Sequence, residues 1–319
     1  MLFSMLTIRE FGQGDYEGLA WLENALTGGQ TNAYDLEQRD AARDPNLGFV
    51  RFIATWGWGE TIGMIEATQR PAPWYSRGEV RVGVREDFRR RGIGGVLLGV
   101  LETILKERGS DVMLLYTGEF DSSINYFLWH RGYAESFRGY SQWLPLEQAD
   151  PQAHHVDWER LSKADVHLRS LSALRHEWDC AEKFYDLYLT LENDAPRADA
   201  EYLPLSFEEF CQNNFDSPSA LPDGVTIAVQ HGRYIGLNIL YLDSSGSVLH
   251  NGLTGVRSEF RGLGLALALK LEGIRFGQQH GFSGITSFNA SSNTAILRLN
   301  EKLGFIRSPA TLEWRKRLI

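Results

Sequence analysis

Two stretches of this sequence, 172 positions apart, repeat one pattern of glycine, arginine and aromatic residues. The first covers residues 84–95 and the second covers residues 256–266. In each, an apolar segment ending in Gly-Val leads through a charged turn into a glycine-rich corner and a leucine-rich segment. The same offset relates Gly132-Tyr133 to Gly304-Phe305 further along the chain. A repeat of this length indicates a duplicated domain and not a short solenoid unit.

Duplication divides the 319 residues into two halves of ordinary domain size, about 150 residues each. The polar stretch between Pro145 and Pro151 indicates a linker. We therefore expect one domain over residues 1–148 and a second over residues 153–319. The second half has a longer opening, which we expect to form a helical insert over about residues 165–220.

The composition restricts the partners of the protein. A net charge of −9 argues against nucleic acid or an anionic membrane and favours a small molecule. Cys180 and Cys211 are the only cysteines, which indicates neither a disulfide framework nor a cysteine zinc site. His154-His155 lies in the expected linker and is interpreted as a solvated pair, so no metal site is predicted. Without an apolar run of membrane-spanning length or a signal peptide, we expect a cytoplasmic protein, of unknown oligomeric state.

The hydrophobic pattern predicts a mixed sheet with flanking helices in each half. The first half follows the order β-α-α-β-β-β-α-β-α-β-β. The second half repeats this plan with a hairpin over residues 226–230 and 234–242 and a strand over residues 248–256. Its first strand is predicted over residues 158–161. The predicted fold class is α/β (α+β).

Each glycine-rich corner leads into a helix N-terminus, where backbone N–H groups can hold an anion. A single corner of this kind could equally be a turn that only joins a strand to a helix. A dinucleotide fingerprint would need a small residue in place of Leu267, and the Gly-Lys-Ser/Thr of a P-loop is absent. The first corner also has Arg85 and Arg89–Arg91, so it should attract an anion more strongly than the second.

The corners resemble the signature of the Gcn5-related N-acetyltransferases, the GNAT superfamily. In that family Gln/Arg-x-x-Gly-x-Gly/Ala joins the fourth strand to the next helix, and residues 89–94 and 261–266 fit this pattern. An Asn-led helix ending in Gly-Phe is intact over residues 293–305, whereas Asp121 replaces the asparagine in the first half. The resemblance implies two tandem GNAT-type acyl-CoA N-acyltransferase folds, each a mixed, mainly antiparallel sheet flanked by helices. The arrangement is similar to that of tandem GNAT proteins such as mycothiol synthase.

The resemblance also implies an activity, namely acetyl transfer from acetyl-CoA to the amine of a small molecule by direct attack, without a metal. Coenzyme A would place its pyrophosphate at a corner. The cofactor-binding residues that the resemblance implies are Val84, Arg89, Arg90, Arg91, Gly92, Ile93, Gly94, Gly95, Val256, Arg261, Gly262, Leu263, Gly264, Leu265, Ala266, Asn289 and Asn293.

The catalytic groups are less clearly marked than the cofactor site. The resemblance calls for a general base near the start of the fourth strand, where Glu79 and His250 stand, although each could instead be a solvent-facing strand residue. It also calls for a backbone N–H near Val84 or Val256 that polarises the thioester carbonyl.

The second half is the expected catalytic half, because its Asn-led helix is intact and its insert can shape an acceptor pocket. Asp194 and Pro196 interrupt this insert and are candidates for the acceptor wall. The position of the family's thiolate-protonating tyrosine holds Leu128 in one half and Asn300 in the other, and neither can act as that acid. The alternative interpretation is therefore a non-catalytic acyl-CoA-binding sensor or scaffold.

Overall fold

The computed structural model describes residues 5–70, 77–196 and 204–318, and its contacts separate into two units. Unit 1 contains Met1–Ser136 and Leu312–Ile319, and unit 2 contains Phe137–Thr311. The domain bounds predicted from the sequence, at residues 148 and 153, differ from these units at the last strand of each half.

Unit 1 contains β1 (Leu6–Glu10), α1 (Tyr16–Thr27), α2 (Ala33–Ala41), β2 (Gly48–Trp56), β3 (Glu60–Arg70), β4 (Arg77–Val84), α3 (Ile93–Glu107), β5 (Val112–Gly118), α4 (Ser122–Trp129) and part of β12 (Ile306–Arg317). The strand order is β1-β2-β3-β4-β5-β12. Neighbours from β1 to β4 are antiparallel, whereas β4 and β5 are parallel. The predicted mixed, mainly antiparallel sheet is confirmed.

Unit 2 contains most of β6 (Ala134–Pro145), then α5 (Trp158–Lys163), β7 (Val166–Ser170), α6 (Leu171–Leu174), α7 (Cys180–Asp194), α8 (Phe207–Cys211), β8 (Thr226–Gln230), β9 (Arg233–Leu242), β10 (Val248–Val256), α9 (Leu265–Gln279), β11 (Gly284–Ala290) and α10 (Thr294–Lys302). The strand order is β6-β11-β10-β9-β8-β7. β10 and β11 are parallel and the other neighbours are antiparallel, as in unit 1. The same plan thus occurs twice.

The start of unit 2 differs from the prediction. Residues 158–161, predicted as a strand, lie in helix α5, because the side chain of Asp157 accepts the N–H of Arg160 and caps the helix. The first strand is β7, which pairs with β8. The insert predicted as helical over residues 165–220 therefore begins with a strand, and its residues 197–203 lie outside the described residues.

The sheet of unit 2 is covered by helices on both faces. Leu240 of β9 packs in one core with Leu269 of α9, whereas its neighbour Ile239 packs in the other with Leu187 of α7. Successive side chains of a strand point to opposite faces, so the alternation places α9 and α7 on opposite sides. β10 contacts both helices and thus lies between them. None of the described helices is long and apolar enough to cross a membrane.

Candidate functional site

The two glycine-rich corners have the same backbone conformation. Gly92 and Gly264, with φ of 84° and 77°, directly precede helices α3 and α9. Two residues earlier, Arg90 has φ 62° and Gly262 has φ 79°. Glycine adopts this left-handed region readily, whereas arginine does so rarely. Unit 1 forms the same turn even though the arginine side chain of Arg90 disfavours a positive φ. The corner geometry is therefore common to both units.

In unit 2 the corner lines a cavity of about 600 Å³. The wall contains the predicted cofactor-binding residues Val256, Arg261, Gly262, Gly264, Leu265, Ala266 and Asn293. It also contains Leu191, Asp194, Pro196, Thr254 and Thr294. Leu263 packs against the core on the α9 side and does not line the cavity. The first turn of α9, the end of α7 and the start of α10 thus surround one space.

The arginine of the second corner is paired with a carboxylate from α7. Its Nε donates to the carbonyl oxygen of Val256 at 3.1 Å, and its Nη2 lies 2.6 Å from Oδ2 of Asp194. Both side chains are about half exposed. An anionic group in this corner would therefore meet the guanidinium of Arg261 and, beside it, a competing negative charge.

β10 and β11 separate next to the corner. Their parallel pairing covers Val248–Asn251 and Gly284–Ser287 and then ends, although both strands continue. A second cavity, of about 220 Å³, lies between the separated strands and shares Leu253, Thr254 and Asn293 with the larger one. Its polar wall residues include Glu192, Asn251, Ser287 and Asn289. The gap between the strands therefore adjoins the corner.

β10 also has a bulge at this place. Its register against β9 shifts between Asn251 and Thr254, where β10 has one residue more than β9. A bulge removes backbone groups from the ladder and re-aims the strand. The bulged residues Gly252 and Leu253 line the smaller cavity. In unit 1, β4 pairs with β3 along its whole described length without a shift, so this feature distinguishes the two units.

The two predicted general bases occupy equivalent positions on their strands. Glu79 on β4 opposes Leu114, and His250 on β10 opposes Thr286 at the matching place. The imidazole Nδ1 of His250 lies 3.2 Å from Oγ1 of Thr286, and burial lowers the pKa of this histidine. His250 lines neither cavity. Glu79 belongs to unit 1, where its carboxylate lies 4.0 Å from Arg77.

A carboxylate that the sequence did not mark lies in the smaller cavity. Among the described residues of its wall, Glu192 of α7 has the only carboxylate. Its position in the helical insert follows no motif, so no sequence signal pointed to it. The smaller cavity of unit 2 thus contains an acidic group beside the bulge.

The asparagines of unit 2 have distinct roles. Asn289 donates to Oγ of Ser287 at 3.0 Å and to Oε1 of Gln142 at 3.3 Å. Asn293 accepts a backbone N–H of α10 at 3.4 Å and lines both cavities, so capping and ligand contact are compatible. Asn300 is buried and donates to Oε1 of Gln142 at 2.8 Å. At the position of the family's tyrosine there is therefore a core amide.

The arginines of the first corner are engaged within unit 1. Arg85 forms ion pairs with Asp87 and with a second carboxylate. Arg89 donates its Nε to the carbonyl oxygen of Val84 at 2.9 Å, and Arg91 donates to that of Asp87 at 2.9 Å. Part of the positive field expected here is thus compensated.

The first turn of α3 is packed by side chains from the region of α4. A Cβ built on Gly95 would lie 1.8 Å from Nη2 of Arg131, so this guanidinium lies against the turn. A Cβ on Gly94 would lie 3.6 Å from the ring of Phe127, and Ile93 is buried. Gly95 is therefore a packing glycine in this structure.

Unit 1 also contains an ion-pair network near α1 and α2. The buried guanidinium of Arg51 lies 2.6 Å from Asp40 and 2.8 Å from Glu66. Arg81 lies 2.9 Å from Glu23. These carboxylates are engaged with guanidinium groups within unit 1.

Comparisons with known proteins agree with this geometry. A family profile described as the acetyltransferase (GNAT) family matches residues 16–133 and 180–305. A GCN5-related N-acetyltransferase from Sphaerobacter thermophilus is similar in structure, with a TM-score of 0.69 and 17% identity over 98% of this chain and 96% of that chain. A tandem GNAT protein from the clavulanic acid biosynthesis pathway has a TM-score of 0.63 and 19% identity over 98% of this chain and 99% of its own. At these identities the likeness shows the fold. No curated protein sequence matches this chain significantly.

Proposed function

Because this chain belongs to the acetyltransferase (GNAT) family, we propose that unit 2 transfers the acetyl group of acetyl-CoA to the amine of a small molecule. The observation that carries this proposal is the combination found in unit 2. A glycine-rich corner, a bulged strand and a gap between parallel strands surround two adjoining cavities there. Unit 1 has the corner without the bulge and is proposed to have a supporting role.

The larger cavity is proposed to hold coenzyme A. The N-terminal N–H groups of α9 and the guanidinium of Arg261 offer donors to a pyrophosphate. Gly262 and Gly264 leave open space where a Cβ would stand, so a phosphate can approach the backbone. Asn293 lies where both cavities meet and can contact the pantetheine arm.

The chemistry is proposed to occur at the bulge. The thioester supplies an activated acyl group, and backbone N–H groups at Gly252 and Leu253 can stabilise the negative charge that develops on its carbonyl oxygen. The amine nitrogen forms a bond to the carbonyl carbon as the carbon–sulfur bond breaks. The carboxylate of Glu192 takes the ammonium proton, and solvent returns a proton to the thiolate.

Calorimetric titration with acetyl-CoA tests the proposed cofactor site. Gly264→Glu places bulk and negative charge in the second corner and should abolish binding. Gly92→Glu is the matched change in the first corner, because Gly92 and Gly264 occupy equivalent positions before α3 and α9, and it should leave one site intact. Binding that is lost only with Gly92→Glu would move the proposal to unit 1. Absence of binding to the unaltered protein would remove the acyltransferase proposal.

Turnover with a panel of small amines tests the proposed base. Glu192→Gln should lower kcat by about 100-fold or more, the range of general-base catalysis. Glu182→Gln is the control, because Glu182 is an exposed carboxylate on the same helix. Equal rates in the two variants would show that Glu192 does not accept the proton.

The second candidate function is a non-catalytic acyl-CoA sensor. It is favoured by one observation, the buried amide of Asn300 where the family's tyrosine would stand. Tight binding of acetyl-CoA without thiol release for any amine in the panel would support the sensor and contradict the enzyme.

A further inference from the structure

A lysine is buried behind the bulge of β10. Lys270, on α9, is 3% exposed, and its Nζ donates to Oδ1 of Asn251. The ring of Phe305 lies on another side, with Nζ 5.2 Å from the ring centroid. Burial lowers the pKa of Lys270 to about 7. A buried cation with neutral neighbours opposes folding, so its presence requires another explanation.

The lysine is one end of a polar cluster that spans the bulge. Asn251 precedes the bulged residues and donates its Nδ2 to Oδ1 of Asn238 on β9 at 2.9 Å. Thr254 follows the bulged residues and donates to the same oxygen at 2.7 Å. Side-chain hydrogen bonds therefore connect the two ends of the bulge where the backbone ladder is interrupted. We define the polar cluster as Asn238, Asn251, Thr254 and Lys270.

The equivalent positions in unit 1 are apolar. Asn251 opposes Ser287 on β11 just as Val80 opposes Leu115 on β5. The other strand positions are matched through the register of β9 with β10 and that of β3 with β4. The helix positions are matched by counting from the first residues of α9 and α3. The counterparts of Asn238, Asn251, Thr254 and Lys270 are Ile65, Val80, Val82 and Leu98, respectively. The fold therefore forms without the polar cluster. Within this chain, the cluster and the bulge occur together in one unit and are replaced together in the other.

We propose that Lys270 is a positioning residue for acyl transfer, which acts through Asn251 to hold the bulge in the geometry that receives the thioester carbonyl. This inference rests on the proposed function of unit 2. Nζ of Lys270 donates to Oδ1 of Asn251 and so directs the oxygen of this amide towards α9. The nitrogen then faces Asn238, as observed. Loss of this orientation would loosen Gly252 and Leu253, whose backbone lines the smaller cavity.

Three variants test the role of Lys270. Lys270→Met keeps an unbranched apolar stem, and Thr254→Val introduces the residue that unit 1 has at position 82. Leu98→Met is the control, because it changes the equivalent buried site of unit 1. Lys270→Met should lower kcat by about 10- to 100-fold, since small misplacement of transition-state donors is costly, and should change KM for acetyl-CoA by less than about threefold. Its Tm should not fall.

A variant that combines Lys270→Met with Thr254→Val separates a positioning role of Lys270 from an unrelated defect in activity. Because both residues act on one bulge, the effects of Lys270→Met and Thr254→Val on kcat should not multiply. Leu98→Met should retain the kcat of the unaltered protein. An unchanged kcat in Lys270→Met would overturn the inference. A loss of kcat accompanied by a lower Tm in both single variants would also overturn it, because that result describes a folding residue.

Hydrogen exchange provides a readout that does not need turnover. Amides of residues 251–254 should exchange faster in Lys270→Met than in the unaltered protein or in Leu98→Met. If the unaltered protein acetylates no amine, the proposed function fails and exchange alone decides the role of the lysine. Faster exchange would then retain Lys270 as the residue that holds the bulge, and unchanged exchange would remove it.

Discussion

Replacing Lys270 with methionine should abolish a rise in the stability of unit 2 with pH. The lysine is buried, and its pKa falls from 10.5 to about 7 on folding. Below the folded pKa it is protonated in both states, and the folded state then carries the whole cost of the buried charge. Above about pH 7 the folded state releases the proton while the unfolded state keeps it, so stability rises until about pH 10.5.

The size of this effect follows from the pKa difference. A difference of about 3.5 units at about 1.4 kcal/mol per unit corresponds to about 5 kcal/mol between the two limits, as an order of magnitude. The free energy of unfolding of the unaltered protein should therefore rise by up to about 1.4 kcal/mol per pH unit relative to Lys270→Met. A change in packing would shift the free energy of unfolding of Lys270→Met by the same amount at every pH. The test therefore depends on the slope of the free energy against pH and not on its absolute value.

Urea unfolding of both proteins between about pH 6 and about pH 9.5 measures this slope, in the transition in which unit 2 unfolds. Titratable groups common to both proteins contribute equally to both free energies of unfolding, so their contributions cancel in the difference between the two proteins. Leu98→Met is the control and should follow the unaltered protein at every pH. Parallel curves for the unaltered protein and Lys270→Met would refute the reasoning, because they would show that Lys270 keeps an ordinary pKa in the folded state.

Three further changes have defined outcomes. Asp194→Asn removes the carboxylate that competes for Arg261. Calorimetry should show acetyl-CoA binding that is tighter by up to about fivefold, because exposed ion pairs are weak. Weaker binding would contradict this expectation. Gly252→Ala places a Cβ 2.8 Å from the ring of Tyr241, so the bulge or the ring must shift. We expect the bulge to be displaced and kcat to fall by about tenfold or more. A rate equal to that of the unaltered protein would show that the bulge tolerates the methyl group. Arg51→Met leaves two carboxylates without their buried cation and should reduce the stability of unit 1 by about 3–5 kcal/mol in urea unfolding, whereas a loss below about 1 kcal/mol would contradict a role for the network in stability.

The corners were predictable because their requirements are local. A left-handed φ at Gly92 and Gly264 selects glycine at a fixed distance from a helix start, and this spacing is visible in the chain. The same holds for Asn293, whose side chain caps the helix that follows it. Apolar alternation likewise predicted the hairpin of β8 and β9, which the structure confirms.

The polar cluster was not predictable because it depends on contacts between distant residues. In the sequence, Lys270 is one charged residue in a leucine-rich helix and is expected to be solvated. It is buried because β9 and β10 bring Asn238 and Asn251 beneath it. The extra residue of β10 leaves no local trace either, since a bulge exists only relative to a partner strand.

The sequence by itself determined the duplication, the two corners and most of the elements around them, because periodicity, glycine positions and caps act within a few residues. Only the tertiary structure decided which unit contains the bulge, that Glu192 lies beside it, and which sheet receives the last strand of each half. Burial, register and strand partner are set by neighbours that are remote in the chain, so they become defined only when the chain has folded.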